Sequence, residues 1–147
     1  VENGAKFGVI IHRLMTRYKA EKWTKIVVGE LDSLMAETNA WSAASKSGIE
    51  VGDSPIQSQA DVIIVDCIGK NVAHQVEQML PLLAKGGVLF TLEPLVPAGE
   101  IADDDKAGMA VVEGFNSWIN LIQSTTETHY IAFNPLFGGT LVAFLEK

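Results

Sequence analysis

Apolar residues in this chain alternate between short continuous runs and longer stretches at helical spacing. Residues 60–100 show the pattern most clearly. Val62, Ile63, Ile64 and Val65 form a continuous run that ends in Asp66. Val72, Val76, Met79, Leu80 and Leu83 then recur as one helical stripe, with Pro81 expected to kink its last turn or two. After Gly86-Gly87, a second run over residues 88–92 ends in Glu93. The pattern predicts strand, helix, strand, with a carboxylate at the C-terminal tip of each strand. Ligands of open parallel sheets sit outside those tips, so both carboxylates are expected to enter one crevice.

Upstream, Gly4 and Gly8 predict a turn that lets backbone approach a ligand. A helix is predicted from Val9, with Ile11, Leu14, Met15 and Tyr18 on one face. Residues 26–28 read as a short buried strand, with Glu30 just past its end and Asp32 as the N-cap of the next helix. That helix has Leu34, Met35, Thr38, Trp41 and Ser45 on one face and Gly48 as its C-cap. Gly52-Asp53-Ser54-Pro55 is a turn, leaving room for only a brief third strand. Downstream, the acidic run 103–105 reads as a helix start. Residues 108–123 form a predicted helix with Val112, Phe115, Ile119 and Ile122 inward. Residues 128–133 and 140–145 predict a hairpin. The run 141–145 is continuously apolar, as expected of a strand covered on both faces, while 130–133 reads as an edge. Alternating elements closed by an antiparallel hairpin predict a doubly wound, mostly parallel α/β sheet in a single domain over residues 1–147.

Composition narrows the function. Residues that are 48% hydrophobic and 20% charged describe a globular chain. The net charge of −7 argues against nucleic acid as a partner, which requires a basic face. No apolar run approaches the roughly 18–20 residues of a membrane span. A lone cysteine, Cys67, excludes an internal disulfide and fits a soluble protein of a reducing compartment. It is expected to be a small buried filler, since no positioned histidine accompanies it. His12, His74 and His129 have no identifiable partner in sequence. Arg13, Arg17, Lys19, Lys22 and Lys25 form a local basic cluster, read as a solvated helix end or a contact for an acidic partner. Trp23, Trp41 and Trp118 are expected in a core or an interface. The chain opens on Val1 rather than Met, and is expected to be a processed product or a piece of a longer one.

In this order and spacing, the motifs resemble the class I S-adenosylmethionine-dependent methyltransferases, and within them the cation-dependent O-methyltransferases of catechol and caffeoyl-CoA type. Glu2, Gly4 and Gly8 match the first motif, and Glu30 matches the acidic residue for the ribose hydroxyls. Gly52-Asp53-Ser54 resembles the segment beside the adenine, and residues 64–71 resemble the aspartate-rich motif after the fourth strand. Phe115-Asn116 and residues 139–147 match the last helix and strand. The resemblance implies a Rossmann-like sheet whose first strand is largely missing from this chain. It implies S-adenosylmethionine held by Glu2, Gly4, Gly8, Glu30, Asp53, Ser54 and Asp66. It also implies a small-molecule methyl acceptor, with a homodimer or a larger assembly as partner.

The resemblance implies a divalent cation too, Mg²⁺ or Ca²⁺, on Asp66 and on an Asp-Asn pair after the fifth strand. Here that pair reads Glu93-Pro94, and proline offers no side-chain oxygen. The place of the base lysine holds Gly69, with Lys70 one residue on, so Lys70 is the candidate base and Asp66 its catalytic companion. Two expectations follow: an O-methyltransferase acting on a small-molecule hydroxyl, or a methyltransferase-fold protein without catalysis that serves as an interaction subunit.

Overall fold

The computed structural model describes residues 4–67, 71–99, 101–102 and 104–147. The chain packs as two compact units, Val1–Gln57 and Ser58–Lys147.

The first unit holds helices α1 (Ala5–Tyr18) and α2 (Leu31–Lys46). Extended Gly4 is the N-cap of α1, so the helix starts before Val9 and takes in Gly8. The reason for glycine there is proximity: a Cβ on Gly8 would lie 2.8 Å from Val28 Cγ2. The apolar spacing predicts one buried face, but only Met15 is buried, and Ile11, Leu14 and Tyr18 face solvent. Helix α1 ends on left-handed Lys19 (φ 55°), with the Ala20 N–H donating to Met15 O at 2.9 Å. Glu30, rather than Asp32, is the N-cap of α2, and Asp32 lies in its first turn. Leu34, Met35 and Thr38 are the buried side of α2. Its end is a Schellman turn: Ile49 N–H donates to Ala44 O, Gly48 N–H donates to Ser45 O, and Gly48 takes φ 77°. Residues 26–28 do not form the predicted strand; Val28 alone makes an isolated bridge, and no strand occurs among residues 49–57. Side chains hold these segments instead. Trp41 Nε1 donates to Gly52 O, and Lys25 Nζ donates to Ser54 O at 3.3 Å.

The second unit is a four-stranded sheet of order β1-β2-β4-β3, with helices on one side. Its strands are β1 (Ala60–Val65), β2 (Leu83–Leu92), β3 (His129–Leu136) and β4 (Gly139–Glu146). Its helices are α3 (Val72–Met79) and α4 (Lys106–Thr125). The predicted strand–helix–strand unit is present, with β1 parallel to β2. Among the described residues the sheet is not mostly parallel: β4 runs antiparallel to both β2 and β3. Pro81, which lacks an N–H, sits where α3 tightens into a 3₁₀ turn over Leu80–Leu82. Leu83 therefore opens β2 rather than closing the helix. Register then shifts from Ala60↔Leu83 to Val62↔Val88. Glycine is needed at that shift, because a Cβ on Gly87 would lie 2.8 Å from the carbonyl oxygens of Ala60 and Ala84.

Register assigns the two faces of the sheet. Ile63, Leu89, Phe144 and Ile131 form one row across all four strands, followed by Val65, Thr91, Val142 and Phe133. This face meets Val72, Val76, Leu80, Trp118 and Leu121 in the core. Trp118 and Phe144, both fully buried, meet edge to face with centroids 5.9 Å apart. Helix α4 is thus turned relative to its predicted stripe: Trp118 and Leu121 are buried, Phe115 and Ile122 flank the core, and Ile119 is exposed. Strand β4 is covered on one face rather than two, since Val142 and Phe144 are buried while Leu145 is exposed. The hairpin is longer than predicted and turns at Phe137-Gly138, with Gly138 at φ 95°. Pro135 sits on the edge strand, where a missing N–H is tolerated.

Candidate functional site

The candidate residues fall into two groups, one in each unit. In the first, Gly4 starts α1 and its carbonyl accepts from Gly8 N–H at 3.0 Å. The approach of Gly8 to Val28 brings this first turn against the segment that leads, two residues later, into Glu30. Glu30 is exposed, and its carboxylate makes no capping hydrogen bond to the N–H groups of α2. Only its backbone is used, accepting from Leu34 N–H at 3.1 Å. Asp53 is exposed in the turn that Trp41 holds through Gly52. Ser54 is half-buried and donates its hydroxyl proton to Ile56 O at 2.6 Å. Ser54 therefore shapes the turn, and Asp53 is its outward-facing polar group. Glu2 lies outside the described residues.

The second group stands at the tips of the parallel pair. Val65 is level with Thr91, so one further step places Asp66 level with Leu92 and Cys67 level with Glu93. Asp66 is exposed; Glu93 is half-buried, with its backbone N–H donating to Thr140 O at 2.9 Å. The two carboxylates thus leave adjacent strands one residue out of step, which the sequence pattern alone did not reveal. Lys70 and Gly69 lie outside the described residues.

Cys67 is half-buried, and burial pushes its thiol up from the ordinary value, with the Asp66 charge adding to the effect. Both causes disfavour the thiolate. A cation finds a poor donor set. Among the described residues, no three His, Cys, Asp or Glu side chains come together as a metal centre. The residues present do not fit the cation that the resemblance implies, and Pro94 supplies no oxygen to complete it.

One polar pair was not singled out from sequence. His129 and Glu146 are directly opposed on β3 and β4. His129 Nε2 and Glu146 Oε2 are both buried without a hydrogen-bond partner, while Nδ1 meets Thr128 Oγ1 at 2.8 Å. Neither residue carries a sequence signal, because only the hairpin register opposes them.

No protein-family model matches this sequence, and no curated protein matches it. Among solved structures, the chain is similar to a "putative caffeoyl-CoA O-methyltransferase" from Staphylococcus aureus. The identity is 16% and the TM-score 0.66, over 98% of this chain and 62% of that one. It is also similar to an SAH-bound methyltransferase of Podospora anserina, at 18% identity and TM-score 0.44, over 74% of this chain and 55% of that one. A methyltransferase from Geobacter sulfurreducens gives 20% identity and TM-score 0.35, over 76% and 53%. The first likeness shows the fold alone, and the chain spans 62% of that protein's length.

Proposed function

We propose that this chain, with its methyltransferase fold, binds S-adenosylmethionine and transfers a methyl group to a hydroxyl of a small molecule. Glu30 carries the reading. It is an exposed carboxylate at the start of α2 that its own helix does not use as a cap. A carboxylate so placed accepts hydrogen bonds from a vicinal diol, which is what a ribose presents.

The residues of the first unit fit the cofactor. Gly4, the N-cap of α1, lets the backbone at the start of the helix approach the methionine part, and Gly8 lets that first turn pack against Val28. Glu2 is the acidic residue preceding that turn. Asp53 and Ser54 receive the adenine, in a turn that Trp41 and Lys25 hold in place. When bound, S-adenosylmethionine supplies an electrophilic methyl group. The chain's own part is to orient the acceptor and take its proton. Asp66 and Glu93 orient the acceptor, and Lys70 is the candidate base that takes its proton. Orientation of a nucleophile in line with its target supplies most of such a rate enhancement. No step runs through a divalent cation, because Asp66, Glu93 and Pro94 do not form its site.

Calorimetric titration of the chain with S-adenosylmethionine tests the reading. Saturable binding is expected, unchanged by Mg²⁺ or by a chelator. Glu30→Ala should weaken it roughly tenfold or more, the worth of a hydrogen bond to a charged group. Absence of binding at millimolar cofactor refutes the enzyme reading and leaves the interaction-subunit alternative. An unmoved affinity in Glu30→Ala refutes the ribose assignment alone.

A further inference from the structure

Residues 49–57, which include Asp53 and Ser54, form no strand, so no ladder fixes their backbone. Side chains hold their carbonyls instead. Trp41 Nε1 donates to Gly52 O, Lys25 Nζ donates to Ser54 O at 3.3 Å, and Ser54 Oγ donates to Ile56 O at 2.6 Å. The first two of these carbonyls flank Asp53, one on each side, and Asp53 itself is exposed. Gly52 adds no constraint of its own, since it has no Cβ to restrict φ and ψ, and a Cβ there would meet nothing within 4 Å. The place of the Asp53 carboxylate therefore follows from the two groups that reach in from outside the segment.

Those two groups differ. Lys25 is exposed, its ammonium ends a flexible four-carbon stem, and its bond is long. Trp41 is half-buried on α2, following the buried Leu34 at i+7 and Thr38 at i+3. Its indole turns on only two χ angles and carries a single N–H donor. That rigid donor is spent on Gly52 O. Helix α2 thus carries Glu30 at its N-terminus and, through Trp41, holds the turn of Asp53.

We propose that Trp41 is a positioning residue for adenine recognition: its indole N–H, acting through the Gly52 carbonyl, holds the Asp53 carboxylate where it accepts from the 6-amino group of the base. This role rests on the cofactor reading and adds to it a choice between bases. An ionised carboxylate only accepts hydrogen bonds, so it takes the amino group of adenine and repels the carbonyl oxygen that hypoxanthine presents in the same place. Trp41 acts only through the turn, so its loss blurs that choice.

Titration of the 147-residue chain with S-adenosylhomocysteine and with S-inosylhomocysteine, which differ at the 6-position of the base, tests this. The wild type should prefer the adenosyl ligand about tenfold or more, the worth of a hydrogen bond to a charged group. Trp41→Phe keeps an aromatic ring and removes the donor. It should cut that preference severalfold, by weakening the adenosyl ligand, whereas Glu30→Ala should weaken both ligands alike. In an Asp53→Ala background, Trp41→Phe should change neither affinity further, because the carboxylate it positions is gone. In the cofactor-free chain, Trp41→Phe should speed amide hydrogen exchange over residues 52–54 with the circular dichroism unchanged. If Trp41→Phe loses its fold, Lys25→Met removes the other hold and should lower the preference in the same direction; an unmoved preference there shows that the held carbonyls do not place Asp53. A Trp41→Phe chain that keeps the wild-type preference, an equal loss for both ligands, a loss that persists in Asp53→Ala, or unchanged hydrogen exchange each overturns the positioning role while the cofactor reading stands. A wild type that binds both ligands equally overturns the Asp53 contact and the role with it. A wild type that binds neither refutes the cofactor reading, and the role falls with it.

Discussion

His129 shows how a single residue couples this fold to pH. Burial lowers its pKa from the ordinary value of 6.5, the Glu146 charge opposes that shift, and the Lys147 charge adds to it. A lowered folded-state pKa means that the unfolded chain takes up the proton first as pH falls. The stability tied to neutral His129 is therefore fully present above about pH 6.5 and is lost as pH falls from there towards the folded-state value. The melting temperature followed from pH 7.5 to 5.5 should drop more steeply in the wild type than in His129→Gln, which cannot titrate. Parallel curves would show that His129 does not contribute. The residue scale is also where sequence said least. His129 was visible as a strand start, but the orphaned Glu146 oxygen opposite it depends on hairpin register, and a one-residue slip would place another side chain there.

At the scale of elements, α4 shows a local signal that works as read. The acidic run predicts a helix start, and Asp105 is the N-cap, its Oδ1 accepting from Ala107 N–H at 3.1 Å and Gly108 N–H at 3.0 Å. Asp105→Ala should cost about 1 kcal/mol, measured as a fall in the urea midpoint. Gly108→Ala would gain up to about 1 kcal/mol of helix propensity if space allowed. Space does not allow it, because the added Cβ would lie 2.6 Å from Asp105 Oδ2 and 2.7 Å from Ile101 Cγ2. The expected outcome is net destabilisation, smaller when Asp105 is already alanine, since one of the two clashes is then gone. Equal costs in both backgrounds would rule out the cap as the cause. Other elements were misread for a common reason. Periodicity reports that a helix has an apolar stripe, not which part of the stripe meets the core. Helix α4 turns Trp118 inward instead of Ile119, and α1 buries Met15 but leaves Leu14 outside. The strand expected at residues 26–28 failed because a continuous apolar triplet needs a neighbouring strand, and the described part of the first unit supplies only an isolated bridge at Val28.

At the scale of the whole molecule, the hydrophobic core of the second unit is built, among the described residues, from Ile63 to Phe144. A core that draws on no residue before Ser58 predicts that residues 58–147 fold without the first unit. Expressed alone, they should show a cooperative thermal transition and dispersed amide resonances. A molten spectrum would show that the core is incomplete without residues 1–57.

The sequence by itself determined the strand–helix–strand unit, the closing hairpin, the glycine that ends α2 at Gly48 and the helix start at Asp105. Each of these is written in contiguous residues and in backbone preferences that no distant contact has to supply. It also placed carboxylates at Glu30, Asp66 and Glu93, near the ends of the segments that carry them. Tertiary structure alone decided what those carboxylates do. Glu30 became the N-cap residue of α2 with its side chain unused by the helix, and Asp66 came to stand one residue out of step with Glu93. Only packing could settle these points, because side-chain direction and strand register are fixed by which neighbour lies across the sheet or under the helix. Those neighbours are brought together by folding, not by spacing along the chain.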